Sequence, residues 1–250
     1  MSDRLRFDWG PTGARDLVAD ARPGDVAVVV DVLSFTTTLT VAVEQGIAVY
    51  PYPWAVAEAP AYAEQRGAVL ARGRREGLAR GELSLSPASF AGVRDIDGGI
   101  EKVVLPSPNG SSIAFALADA GVEVVGASLR NATAVGRWLS GRGPGAISVV
   151  AAGERWPDGS LRPAVEDLWG AGAVLSSLDP AGLTPEAAMA AAAYDVVRGR
   201  LSEVLPTCVS GRELVDGGFA RDVEIAAEVD SSQVVPVLRG AAFVHAGQLG

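Results

Sequence analysis

The stretch VAVVVDVLSFTTT, residues 26–38, passes from five apolar residues to one carboxylate, Asp31, and then to a row of hydroxyls. Consecutive apolar residues without alternation predict a strand that is buried on both faces, as in parallel sheets. The continuation predicts a helix over residues 36–45. Open α/β sheets bind ligands at such strand ends, where the first amides of a helix can hold an anion. We therefore expect a functional site at the end of this strand.

The same order, a Val-rich run followed by an Ala-rich helical pattern, repeats along most of the chain. This alternation is typical of a parallel sheet covered by helices. The predicted strands span residues 26–30, 47–50, 68–71, 102–105, 122–126 and 147–151, with a last strand at 234–238. The predicted helices span residues 36–45, 55–65, 111–120, 132–139, 164–177 and 185–205, with shorter helices within 211–228. The expected fold is a three-layer α/β fold with a largely parallel or mixed sheet and helices on both faces.

Length and composition predict a single globular domain. The chain has 250 residues, of which 48% are hydrophobic, and this is enough to fill a sizeable core. Residues 72–99 are rich in Gly and charge, which is typical of an active-site loop or of a boundary between two lobes. Both interpretations of that segment remain open at this point.

Charge and residue usage exclude several classes of function. The formal net charge of -9 argues against a nucleic-acid partner, because phosphate-backbone binding leaves a basic footprint. The sequence shows neither a secretory signal nor an apolar stretch long enough to span a bilayer, so we expect a cytoplasmic protein without a membrane partner. With one cysteine and one histidine, clustered Cys/His metal sites are excluded, and any metal would be held by oxygen.

Polar residues concentrate at the predicted strand-to-helix junctions. Asn109 and Gly110 permit a tight turn before the helix at 111–120, which predicts a phosphate cradle there. At the next junction Arg130 offers a planar donor fork for an acidic ligand, and Asn131 suits a helix N-cap. Capping alone would also explain such residues, and that alternative stays open for each junction taken singly.

Four carboxylates form what we call the acidic set: Asp31, Glu154, Glu166 and Asp167. Glu154 follows the strand at 147–151, and the last two residues begin the next predicted helix. Together these side chains could surround a hard cation such as Mg²⁺. Glu166 and Asp167 would equally complement a helix dipole. Asp31 is harder to explain by structure alone, because a carboxylate that ends an apolar strand is costly to desolvate without a partner.

Six motifs together resemble one known family over nearly the full length of the chain. They are DVL at 31–33, SPNG at 107–110, SLRNA at 128–132, AGE at 152–154, ED at 166–167 and VVPV at 234–237. In this order and spacing they resemble the 2-phosphosulfolactate phosphatase family. The resemblance implies a magnesium-dependent phosphomonoester hydrolase that releases sulfolactate and phosphate, an activity tied in that family to coenzyme M synthesis.

The chain departs from the family pattern around its cationic residues. Ser34 stands where many members carry Arg, and residues 73–77 read GRREG in place of a Gly-Glu-Arg-Gly-Gly-like loop. Residues 84–87 read SLSP in place of a Gly-Asn-Ser-Pro element. An anion-binding arginine and a loop carboxylate have therefore changed, and Arg74 and Arg75 are candidates for the missing positive charge.

The leading hypothesis is metal-assisted hydrolysis of a small anionic phosphate monoester. The acidic set would hold Mg²⁺, with Asp31 and Glu154 as catalytic residues and Glu154 accepting the proton. The predicted substrate-binding residues are Thr36, Thr37, Arg75, Ser107, Asn109, Gly110, Ser111, Arg130 and Asn131. One alternative is a non-catalytic protein that binds a small anion or a nucleotide, which the changed loop at 72–87 favours; another is a structural assembly subunit. A homodimer is expected from base rates for compact enzymes.

Overall fold

The structure is a computed structural model, and it describes residues 4–54, 56–93, 99–143 and 145–247. The strands of the described residues are β1 (Leu5–Trp9), β2 (Val26–Val30), β3 (Ala48–Pro53), β4 (Val69–Leu70), β5 (Lys102–Ser107), β6 (Glu123–Ala127), β7 (Ile147–Ala151), β8 (Glu154–Arg155), β9 (Leu161–Arg162), β10 (Pro236–Arg239) and β11 (Ala242–His245). The α-helices are α1 (Gly10–Leu17), α2 (Phe35–Glu44), α3 (Ala59–Gln65), α4 (Arg74–Arg80), α5 (Gly110–Leu117), α6 (Ala132–Ser140), α7 (Val165–Leu175), α8 (Pro185–Val197), α9 (Leu201–Val204), α10 (Val209–Asp216) and α11 (Ala220–Ala226).

Nine of these strands form one mixed sheet in the order β1-β7-β2-β6-β10-β11-β3-β5-β4. The group β1, β7, β2 and β6 pairs in parallel, and so does the group β3, β5 and β4. A hairpin of β10 and β11 joins the two groups through antiparallel pairing on both of its sides. β8 and β9 form a separate two-stranded ribbon. The three-layer α/β fold with a mixed sheet is confirmed.

The central strand β2 is buried on both faces, as its unbroken apolar run predicts. Side chains alternate between the faces of a strand, so Val26, Val28 and Val30 join a core formed with α6, α7 and α8. Ala27 and Val29 join a second core on the opposite face, formed with α2 and α5. The second core also contains apolar residues of β3 and β5, so both parallel groups are packed against the same helices.

Most predicted elements are present with shifted ends, and the exceptions have local reasons. The predicted helix 185–205 is divided into α8 and α9, because Gly199 adopts a left-handed φ of 81° between them. β1 is an edge strand with alternating burial, so it lacks the apolar run that marked the other strands. The predicted final strand at 234–238 corresponds to β10, which forms a hairpin with β11. Residue 55, the predicted start of the helix at 55–65, lies outside the described residues.

The segment at 72–99 includes two short helices. It contains α4 and a 3-10 helix at Pro87–Phe90, while residues 94–98 lie outside the described part. Strands that precede the segment and strands that follow it belong to the same nine-stranded sheet. Among the described residues, no helix combines the length and the apolar character needed to cross a membrane.

Candidate active site

Asp31 stands at the carboxyl end of β2 and holds two helix starts together. Its Oδ1 accepts a hydrogen bond of 3.1 Å from the Phe35 amide in α2, and its Oδ2 accepts one of 2.8 Å from the Gly110 amide in α5. A Cβ added at Gly110 would lie 2.6 Å from the Cβ of Asp31, so only glycine permits this approach. The carboxyl ends of β2 and β5 therefore meet at one buried carboxylate.

Glu154 brings a second carboxylate to the same place from the end of β7. Its Oε2 accepts a hydrogen bond of 2.8 Å from Nδ2 of Asn109, which precedes α5. Burial, and then the negative charge of Asp31, raise the pKa of Glu154 from 4.5 to about 7. A group with such a pKa exchanges protons readily near neutral pH, which suits a general base.

Glu166 and Asp167 enter from the first turn of α7, and both are buried. Asp167 bridges two strand ends, because its Oδ1 accepts from the Val32 amide at 2.7 Å and its Oδ2 from the Gly153 amide at 2.8 Å. Glu166 accepts a hydrogen bond of 3.5 Å from the thiol of Cys208, whose pKa is raised to about 12, mainly by burial. Sequence reasoning gave Cys208 no part in the site, and its spacing offers no signal for this contact.

The acidic set converges electrostatically. Burial, followed by the charges of Asp31 and Glu166, raises the pKa of Asp167 well above its usual value. Burial also raises the pKa of Asp31, against the lowering effects of the Gly110 and Phe35 amides and of Arg74. Mutual repulsion of this kind is characteristic of sites whose charge is balanced by a bound cation or used in proton transfer.

The predicted four-ligand metal site needs revision. Among the residues that the structure describes, no group of three or more His, Cys, Asp and Glu side chains is arranged so that it could hold a metal ion. Both oxygens of Asp167 accept hydrogen bonds from backbone amides, and so do both oxygens of Asp31, so each of these carboxylates has a structural role besides any part in metal binding. Mg²⁺ is commonly held by one or two carboxylates, with waters and substrate oxygens as further ligands. Two members of the acidic set would suffice for such a partial ligand set.

Thr36 and Thr37, predicted to bind substrate, instead stabilise the turn into α2. The Thr36 hydroxyl donates to the Asp31 carbonyl at 2.7 Å, and the Thr37 hydroxyl donates to the Val32 carbonyl at 2.7 Å. Both residues are fully buried. Hydroxyl side chains near a helix start often bind local backbone groups in this way. The hydroxyls of Thr36 and Thr37 therefore have a local structural role.

The predicted phosphate cradle is largely closed by internal hydrogen bonds. The Ser111 amide donates to Oγ of Ser107 at 3.0 Å, and the Ser111 hydroxyl donates to the Leu105 carbonyl at 2.8 Å. The Gly110 amide is used by Asp31. Of the residues predicted at this junction, Asn109 alone lines a cavity of the described structure, beside Glu154.

Arg130 and Asn131 are placed away from the acidic set. Arg130 pairs with Glu228 and with Glu44, which lies at the end of α2. The ten residues of α2 span about 15 Å, and Asp31 lies at its other end. Asn131 is fully buried and its Oδ1 accepts from the Ser128 amide at 2.8 Å, so it caps the turn after β6. The predicted substrate contacts of both residues are therefore replaced by structural ones.

The arginine that faces the site is Arg74, not the exposed Arg75. Nη2 of Arg74 donates to Oγ of Ser34 at 2.5 Å, and its Nε donates to Oδ2 of Asp222 at 3.2 Å. Its charge also lowers the pKa of Asp31. Adjacent residues of a helix point in directions about 100° apart, so only one of the two arginines can face inward. The peptide bond that precedes Ser34 is cis.

A cavity of about 340 Å³ opens beside Glu154 and Asn109. Its other polar residues include Thr12, Ser112 and Arg155, none of which we predicted to bind substrate. The volume lies within the range of small-molecule sites. Thr12 was not predicted because β1, the strand that precedes it, was not predicted either. Arg155 could have been identified as a candidate binding residue from its position next to Glu154.

Comparison with known proteins identifies the family. A family model described as 2-phosphosulpholactate phosphatase matches residues 14–241. A Deinococcus radiodurans protein named "Probable 2-phosphosulfolactate phosphatase" is 32% identical over 240 residues, covering 94% of this chain and 96% of its own. A protein with the same name from Thermus thermophilus is 31% identical, over 86% of this chain and 89% of its own length. Another from Carboxydothermus hydrogenoformans is 29% identical, over 84% of each chain. This chain belongs to the 2-phosphosulpholactate phosphatase family.

Proposed function

We propose that this protein hydrolyses 2-phosphosulfolactate to sulfolactate and phosphate in a Mg²⁺-dependent reaction. The observation that carries the proposal is that the charges of Asp31 and Glu166 act on Glu154, which lines a cavity of small-molecule size. The names of the relatives supply the substrate. The charges of the acidic set supply the reason to expect a cation.

Within the site, the three carboxylates suit different tasks. Asp31 and Glu166 would hold Mg²⁺, which supplies Lewis-acid polarisation of the phosphoryl group when bound. Glu154 lines the cavity, and the hydrogen bond from Asn109 orients one of its oxygens. Its raised pKa allows it to accept a proton from water as the water oxygen forms a bond to phosphorus. The bond from phosphorus to the ester oxygen breaks, and this leaving oxygen takes up a proton from solvent and becomes the hydroxyl of sulfolactate, while Glu154 returns its proton to solvent.

Three arginines offset the negative charge of the substrate. Arg74 acts on Asp31, Arg155 lines the cavity, and the charge of Arg162 lowers the pKa of Glu154. A substrate that carries phosphate, sulfonate and carboxylate groups needs such donors, because the acidic set alone would repel it. Remote surface charge is screened within about 8 Å at physiological salt, so the net charge of the protein does not prevent binding.

A phosphate-release assay tests the proposal. Purified protein would be given 2-phosphosulfolactate and a panel of other phosphomonoesters, with Mg²⁺ and with chelator. We expect release that requires Mg²⁺ and is lost in Asp31→Asn, while the fold is retained. Asp179→Asn is the matched control, because Asp179 also accepts a backbone hydrogen bond but is exposed and lies in another element.

The outcomes are distinct. An unchanged rate in Asp31→Asn would remove Asp31 from the mechanism. Release that is insensitive to chelator would contradict the Mg²⁺ requirement but not the hydrolysis. Binding of the substrate without release of phosphate would support the alternative of a non-catalytic anion-binding protein.

The cellular setting remains a proposal. We propose that the released sulfolactate serves coenzyme M synthesis, as the family resemblance implies, and that the protein acts in the cytoplasm as a homodimer. Light scattering tests the last point: a dimer has twice the chain mass of 25.6 kDa, and a solution mass equal to one chain would contradict it.

A further inference from the structure

A second charged cavity lies at the opposite edge of the sheet, where β1, β2 and β7 begin. Its volume is about 720 Å³, and its charged lining residues are Arg4, Arg6, Asp20, Arg22, Asp25 and Arg142. The five residues of β2 separate this edge from Asp31 by about 16 Å, at roughly 3.3 Å per residue. The cavity is therefore distinct from the candidate active site.

Three arginines of this cavity lack a carboxylate partner. Among the described residues, none forms an ion pair with Arg4, Arg6 or Arg22, although ten other arginines are paired. Nε of Arg6 is buried and has no hydrogen-bond partner. A buried donor without a partner costs free energy, and neighbouring like charges repel. A bound anion would relieve both effects.

Neither of the two carboxylates in the lining, Asp20 and Asp25, forms an ion pair with these arginines. Asp25 is used by the backbone, since its Oδ2 accepts from the Arg22 amide at 2.9 Å and its Oδ1 from the Ala146 amide at 2.7 Å. It thereby ties together the two loops that form the cavity. Asp20 is exposed. With Glu123, which pairs with Arg142, included, four guanidinium groups face three carboxylates, so the cavity keeps a positive charge on a protein whose net charge is -9.

The fourth arginine is already held in place. Arg142 pairs with Glu123, and its guanidinium lies over the ring of Trp138 at 4.5 Å from the centroid. Stacking and pairing reduce the side-chain entropy that a ligand would otherwise have to fix. The cavity therefore combines one pre-positioned guanidinium with three that have no carboxylate partner.

We propose that this cavity is a second binding site, for a small phosphorylated ligand that carries at least two phosphate groups. The planar guanidinium fork matches phosphate oxygens, and arginines that line the cavity from two separate segments, residues 4–6 and the loop before β2, suit a ligand with charge at more than one point. The volume is within the range of small-molecule sites. This inference does not depend on the reaction proposed above, because it uses none of the acidic set.

Isothermal titration calorimetry with inorganic pyrophosphate tests the site, in chelator so that no Mg²⁺ is present. We expect binding by the unmodified protein, and at least tenfold weaker binding in Arg22→Ala and in Arg6→Gln. Arg22 is exposed, so its variant should fold normally. Binding should weaken as salt is raised, because exposed charges are screened.

Two control variants locate the binding. Arg15→Ala removes one exposed arginine outside the cavity, and Arg155→Ala removes the arginine that lines the catalytic cavity. Both should bind pyrophosphate within twofold of the unmodified protein. The proposal is overturned if the unmodified protein shows no binding at millimolar pyrophosphate. It is also overturned if Arg22→Ala and Arg6→Gln keep full affinity, or if Arg155→Ala loses binding while they do not.

Discussion

Replacing Glu154 by Gln is expected to stabilise the metal-free protein at pH 8 while removing its activity. Burial, and then the charge of Asp31, raise the pKa of Glu154 from 4.5 to about 7. The carboxylate accepts a hydrogen bond of 2.8 Å from Asn109, and the oxygen of a glutamine can accept the same bond. Glu154→Gln therefore removes the buried charge and keeps its hydrogen-bond partner.

The sign and size follow from proton linkage. The folded state holds this proton more tightly than the unfolded state, so the stabilising contribution is complete below pH 4.5 and is lost as the pH rises through about 7. Each pKa unit corresponds to about 1.4 kcal/mol, so the difference amounts to about 3 kcal/mol at pH 8. In a chain of this length, that energy corresponds to roughly 6–12 °C in melting temperature.

Thermal unfolding followed by circular dichroism, in chelator at pH 5 and pH 8, measures this difference. The Gln variant should melt at a higher temperature than the unmodified protein at pH 8, and the two should differ little at pH 5. Glu203→Gln is the control, because the Glu203 side chain is 65% exposed and should show no such pH dependence. Equal melting temperatures at pH 8, or an equal gap at both pH values, would refute the reasoning.

Three further predictions test the remaining contacts of the site. Gly110→Ala should destabilise the protein by about 1–3 kcal/mol in urea unfolding, because the added carbon would overlap the Asp31 side chain. Gly143→Ala is the control and should not destabilise the protein, because Gly143 faces open space. Equal effects of the two substitutions would contradict the close approach of Gly110 to Asp31. Arg74→Ala should raise KM for the phosphorylated substrate by tenfold or more, because the charged hydrogen bond of about 1.5–3 kcal/mol that Arg74 would donate to the substrate is lost. Arg75→Ala should leave KM unchanged, because Arg75 is exposed, and the reverse result would restore the sequence-based assignment. The logarithm of kcat/KM should rise with pH and level off above about pH 7, because Glu154 must be ionised to accept a proton; a rate that falls over this range would make Glu154 an acid instead.

Much of the central layer was predictable because its strands are buried on both faces. β2 and β7 have the predicted bounds, since an unbroken apolar run leaves no other placement for their side chains. The position of Asp31 at a strand end follows from the same pattern. β1 escaped prediction because it is an edge strand whose side chains alternate between core and surface. β11, the partner of β10 in the hairpin, has only four residues, and its sequence pattern was too short to predict a strand.

The carboxylates of the candidate site were predictable as a group but not by role. The sequence alone determined that carboxylates follow β2 and β7. It also predicted that these carboxylates lie close together, because the strand ends of a parallel group lie at one edge of the sheet. Only the tertiary structure decided that Glu154 faces a cavity while Asp167 is engaged by two backbone amides. It likewise decided that Arg74 faces Ser34 and that Arg130 pairs with Glu44. The reason is physical: a residue type states which bonds a side chain can make, whereas helix phase and distant chain segments determine which partner it meets.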